Sequence, residues 1–181
     1  MHSFRPLFTA GMLLLAACSI HATPEKAAAT PSATVVSMLR TTCFGPCPSY
    51  RVTLGADGRI SFEGLAHVQT RGKASGQATP AQMAAIHRAI EAADLPGLRS
   101  SYATRKDGCG PLMMDMNGVK ITVATTHGSK TVNFYYGCRG AIASKVRPRI
   151  DQLASTIDRQ LDTARWIGKP AAPGKARQAT H

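Results

Sequence analysis

Tyr50-Arg51-Val52-Thr53-Leu54-Gly55-Ala56-Asp57-Gly58-Arg59-Ile60-Ser61-Phe62 decides the fold, because it spells out an antiparallel hairpin with one buried face. Tyr50, Val52 and Leu54 alternate with Arg51 and Thr53, and Ile60 and Phe62 resume the period after the turn residues Ala56-Asp57-Gly58. A period of two puts the apolar side chains on one side of a pleated ribbon and the polar ones on the other. Upstream, Val35 to Thr41 reads as a neighbouring strand. Downstream, Gly64 is expected to break the pairing, Ala66 to Arg71 to add a further strand, and the Gly, Ser and Lys run from Gly72 to Gly76 to form a loop.

A helix follows. Thr79 supplies the cap, Pro80 the first helical position and Gln82 the reciprocal side chain of a capping box, while Met83, Ile86 and Ile90 form the apolar stripe that Leu95-Pro96-Gly97 brings to an end. The order of strands and helix then repeats. Leu112 to Met116 reads as a strand, Asn117-Gly118 as a hairpin turn, and Val119, Ile121 and Val123 as the alternating return strand. His127-Gly128-Ser129 turns the chain into Val132, Phe134 and Tyr136, and after Gly140 comes a helix interrupted or started near Pro148, with Ile150, Leu153, Ile157 and Leu161 on its stripe. These patterns predict a two-layer α+β sandwich, an antiparallel sheet built from two strand-rich halves, each followed by a helix. The single domain is expected over residues 34–167.

The opening stretch gives an address. Arg5 precedes an apolar run from Leu7 to Leu15 that is too short to span a bilayer, and Leu15-Ala16-Ala17-Cys18 resembles the lipobox of bacterial lipoproteins. Residues 1–17 are therefore expected to be a signal peptide, and Cys18 the lipidated first mature residue. Residues 18–33, rich in Ala, Thr and Pro, read as a tether, and residues 168–181 as a disordered basic tail. Ser19 after the lipidated cysteine, by resemblance to Gram-negative lipoproteins, favours an outer-membrane position facing the periplasm. The membrane is thus one expected partner, held through acyl chains such as palmitate. The chain of 181 residues carries a net charge of +12, of which only Arg5 would leave with the signal peptide. Export argues against nucleic acid as the reason for that charge and leaves two readings, an anionic envelope component as the other candidate partner or a basic solvated surface with no ligand.

Four cysteines remain after Cys18, and an oxidising compartment makes them a disulfide framework with three possible connectivities. Cys43 and Cys47 flank the bend Phe44-Gly45-Pro46, and Cys109 and Cys138 sit just outside the second set of strands. Bridges within these two pairs are expected, the long one contributing about 3.6 kcal/mol and the short one about 2 kcal/mol by loop-closure entropy.

Cys43-Phe44-Gly45-Pro46-Cys47-Pro48-Ser49-Tyr50, followed by Asp57-Gly58 and Gly64, resembles the signature of a bacterial family found in exported lipoproteins, the domain of unknown function numbered 6438. The resemblance is specific over residues 39–64; beyond them it rests on the order of strands and closing helix, with Trp166. It implies an envelope location and brings no catalytic residue with it. The expected function is a noncatalytic binding or scaffolding domain, without cofactor or metal. Its competitor is a periplasmic thiol-redox or copper-handling module, since Cys43-x-x-x-Cys47-Pro48 also resembles the motif of thioredoxin-like copper chaperones. In those proteins the thiol pair opens a helix, whereas Pro48 here leads into an alternating strand. Tyr136-Gly137-Cys138-Arg139 resembles the nucleophile site of L,D-transpeptidases but has tyrosine where that chemistry needs an imidazole base. His67, His87 and His127 are scattered, Asp107 and Asp115 are a candidate carboxylate pair near Cys109, and Arg40, Arg51 and Arg59 are expected to share the open face of the sheet.

Overall fold

The structure, a computed structural model, describes residues 34–168. Cys18, the signal peptide, the tether and the tail beyond Gly168 lie outside the described residues. Seven strands form one sheet in the order β4-β3-β2-β1-β6-β7-β5. They are β1 (Val35–Arg40), β2 (Ser49–Leu54), β3 (Arg59–Ala66), β4 (Gly72–Gln77), β5 (Ser101–Tyr102), β6 (Gly118–Thr125) and β7 (Gly128–Tyr135). Helices α1 (Pro80–Ala93), α2 (Ala141–Gln160) and the one-turn α3 (Ala164–Ile167) complete the α+β fold. All pairings are antiparallel except that of the two-residue β5 with β7.

The first half contributes a four-strand meander and the second half three strands, and β1 with β6 forms the seam between them. Register follows the alternation. Val36 and Met38 stand opposite Leu54 and Val52 on one side and Val123 and Ile121 on the other, so one face of the sheet is a continuous apolar layer. Ile86 of α1 and Ile150, Leu153 and Ile157 of α2 are buried in the same core. Thr79 and Gln82 make the expected box, with Thr79 N–H donating to Gln82 Oε1 at 2.8 Å and Gln82 N–H to Thr79 Oγ1 at 3.3 Å. At the other end of α1, Arg149 of α2 donates to the carbonyls of Ala93 and Asp94 and to Asp94 Oδ2, which places a cation where the helix leaves carbonyls unpaired.

The structure corrects four local expectations. Gly64 does not end β3 but pairs with Tyr50, and the irregularity is a bulge at Leu65, since Ser49 pairs with Ala66. Glycine belongs at 64 because a Cβ there would run into the Thr70 carbonyl of the following turn. The Gly72 to Gly76 segment is the edge strand β4, whereas Ala66 to Arg71 supplies the turn before it. Leu112 to Met116 is a loop, held to the sheet by an isolated bridge between Leu112 and Cys138, and Gly118 begins β6 instead of turning a hairpin. Finally, α2 starts at Ala141 and runs through Pro148, whose side is solvent-exposed, so the hydrogen bond it cannot donate is given up on the wet face.

Candidate functional site

Strand direction gathers one set of loops at a single rim of the sheet. β1, β3, β5 and β7 end at this rim, and β2, β4 and β6 begin there. Both disulfides lie along it. Cys43 and Cys47, with Cα atoms 5.6 Å apart, close the loop between β1 and β2, and Cys109 and Cys138, 5.1 Å apart, tie the loop before β6 to the one after β7. In the structure Cys43 is bridged to Cys47 and Cys109 to Cys138. Cys47 leads into β2, so this disulfide does not sit at the start of a helix as a redox or copper-chaperone pair does.

The two bridged loops are also fastened to each other and to the sheet. Phe44 N–H donates to the Asp115 carbonyl at 3.0 Å, Tyr135 OH donates to the Met113 carbonyl at 2.7 Å, and Met113 N–H donates to the Gly137 carbonyl at 2.9 Å. Gly137 allows this close approach, because a Cβ would strike the Met113 carbonyl. What these well-anchored loops present is apolar: Phe44 is 87% exposed, Met114 74% and Met113 47%, although burial in the core would be the ordinary fate of all three. Sequence reasoning missed them as site residues because phenylalanine and methionine carry no mark of exposure.

Beneath the rim lies an ionic cluster on the covered face. Asp158 of α2 accepts from Arg40 Nε at 2.9 Å and Nη2 at 2.7 Å through Oδ2, and from Tyr50 OH at 2.6 Å and Thr163 Oγ1 at 2.9 Å through Oδ1. Burial alone would lower the Arg40 pKa, but the charge and hydrogen bond of Asp158, together with Tyr50 and Tyr136, outweigh it and the value is raised. Burial first, and then the Asp158 charge, raises the pKa of Tyr50. The cluster clamps α2 onto β1 and β2, and every oxygen of its carboxylate is occupied. Arg40 therefore does not join Arg51 and Arg59 on the open face. Its position in β1 is even with Val36 and Met38, which face the helices, and the other two arginines pair separately with Glu63 and Asp57.

Other candidates also separate. Asp107 caps a turn of 3-10 helix, and Oδ2 accepts from Ser101, from the Ala103 N–H, and from both the N–H and hydroxyl of Thr104. The Ala103 N–H and the Ser101 hydroxyl hold its pKa down at about 2, and its bonds are those of a turn cap. His67, His87 and His127 lie in the β3–β4 turn, on α1 and in the β6–β7 turn. Among the described residues no group of three or more His, Cys, Asp or Glu side chains is placed to hold a metal ion.

Tyr136, buried beside Asp151 and Arg40, gives a pH prediction. Burial, and then its hydrogen bond to Asp151, pushes its pKa from 10.0 up to about 12. Unfolded chains lose the phenolic proton first, so this stabilisation is complete below pH 10 and is lost as pH rises through about 12. Tyr136→Phe is expected to flatten the alkaline fall in unfolding free energy measured by urea titration. An unchanged slope would assign that fall to other groups.

A family model described as a domain of unknown function (DUF6438) matches residues 34–161. No curated protein matches the chain.

Proposed function

We propose, for a chain that belongs to the family of the domain of unknown function DUF6438, an exported lipoprotein whose domain binds or scaffolds a component of the bacterial envelope without catalysing a reaction. The observation that carries the binding reading is the rim, where two disulfides and a set of backbone bonds hold Phe44, Met113 and Met114 out of the core. Holding apolar surface in water is unfavourable unless something covers it. The lipobox at Leu15-Ala16-Ala17-Cys18 supports export and lipidation, with the protein expected at the outer membrane facing the periplasm. The net charge of +11 that remains once Arg5 leaves with the signal peptide (21 basic against 10 acidic residues) supports an anionic component as partner.

Replacing Cys18 tests the address. Cys18→Ala should leave an unprocessed or soluble product in cell fractionation, with no acyl mass on the mature chain. A Cys18→Ala protein that is still processed and still needs detergent for release would overturn the lipoprotein reading.

A further inference from the structure

We infer that the disulfide-pinned rim docks on the surface of an anionic phospholipid bilayer, with Phe44, Met113 and Met114 entering the interface. The centre of the rim is apolar and projects outward. On one side of it stand Arg71 and Lys73, at the turn into β4, and on the other Arg105 and Lys106, just beyond β5. Arg139 and Lys145 lie near the loops that carry the methionines, and Arg139 donates to Met113 Sδ at 3.0 Å and 2.6 Å. None of these six cations makes an ion pair among the described residues, whereas Arg40, Arg51, Arg59, Arg147 and Arg149 all do.

Carboxylates near the rim are fewer than its cations: Asp107 is occupied by four donors, Glu63, opposite Lys73, is paired with Arg51, and Asp115 and Asp162 remain against the six. Protruding apolar side chains between cations match a headgroup layer, which accepts both at once without a preformed pocket. A protein partner would need a cavity shaped for Phe44.

This docking deepens the binding reading proposed above and does not depend on the lipoprotein reading.

The two exposed methionines report on the contact. Full-length protein is mixed with phosphatidylcholine vesicles, with vesicles containing phosphatidylglycerol, or with neither, and peroxide oxidation of Met113 and Met114 is followed by mass spectrometry. Oxidation should slow at least about five-fold on the anionic vesicles relative to the neutral ones, because each cation near a charged surface adds to binding. The protection should disappear at high salt, and also in Phe44→Ser and in the double variant Arg105→Glu with Lys106→Glu. Co-flotation with neutral vesicles reads lipid anchoring separately, so a protein that floats with unprotected methionines is anchored but not docked. Equal oxidation rates on both vesicles would overturn the inference. So would protection that grows with protein concentration in the absence of vesicles, as expected if Phe44 entered the apolar cleft between Ile90, Leu95, Pro96 and Val123 of a second copy.

Discussion

Asp158→Ala should lower the unfolding free energy by about 3 to 4 kcal/mol, a shift in melting temperature on the order of 10 °C for a domain of this size. The carboxylate accepts from Arg40, Tyr50 and Thr163 at once. Its removal leaves a guanidinium that is only 19% exposed and a tyrosine hydroxyl under the helices, with the neutral hydroxyls of Tyr136 and Thr163 beside them and no charge to replace the carboxylate. Asp158→Asn should recover little of the loss, because the amide keeps one acceptor oxygen but turns a donor toward Arg40. Glu63→Ala is the comparison: it breaks the Arg51 pair, whose side chains are 49% and 40% exposed, and should cost under about 1 kcal/mol. Denaturant titration of the three variants decides the matter. If Asp158→Ala proves no more costly than Glu63→Ala, the cluster is not what fastens α2 to the sheet.

The parts of the fold that could be read from the sequence are those where one local rule acts without competition. Residues 50–62 alternate, and they form β2 and β3 in the register that the alternation demands. Thr79, Pro80 and Gln82 start a helix because the capping bonds are local to three residues. The family was also legible, and its model matches residues 34–161. Misreadings occurred where tertiary neighbours override composition. Gly72 to Gln77 has the residues of a loop, yet it pairs with β3 along its length, and Arg165 and Trp166 lie over Gly76. Leu112 to Met116 has strand-like apolar content but no partner strand, and Met113 and Met114 end in solvent because two backbone bonds and a disulfide hold the loop there.

The candidate site was legible in its cysteines and not in its purpose. The pairings followed from spacing, but the exposure of Phe44 depends on Gly45, whose φ of 144° re-aims the loop, and on the bond from the Phe44 N–H to Asp115, more than sixty residues away in sequence. Asp158 was overlooked because a lone acid beside Ile157 looks like the polar edge of an amphipathic helix. Only the register of β1 and β2 shows that an arginine and a tyrosine reach it from the sheet.

The two disulfides should differ in what their loss does. Cys109 and Cys138 close a segment with a sequence separation of 29, and both are buried, so the Cys109→Ala and Cys138→Ala double variant should lose about 3.6 kcal/mol by loop-closure entropy. The Cys43→Ala and Cys47→Ala double variant opens a separation of only 4 and should lose about 2 kcal/mol at most. Its larger effect should fall on the rim, because the loop that holds Phe44 outward is no longer closed, and the methionine protection described above should weaken while the fold persists. Urea unfolding of both variants, without reductant, gives the stability comparison, and oxidation on anionic vesicles gives the functional one. The reverse order, with the short bridge carrying most of the stability, would contradict the loop-entropy account. Unchanged protection without Cys43 and Cys47 would show that the Phe44 N–H bond to the Asp115 carbonyl and the Tyr135 hydroxyl bond to the Met113 carbonyl suffice to shape the rim. In that case the short pair would be free to serve the thiol chemistry that its spacing resembles, and its reduction potential would become the next quantity to measure.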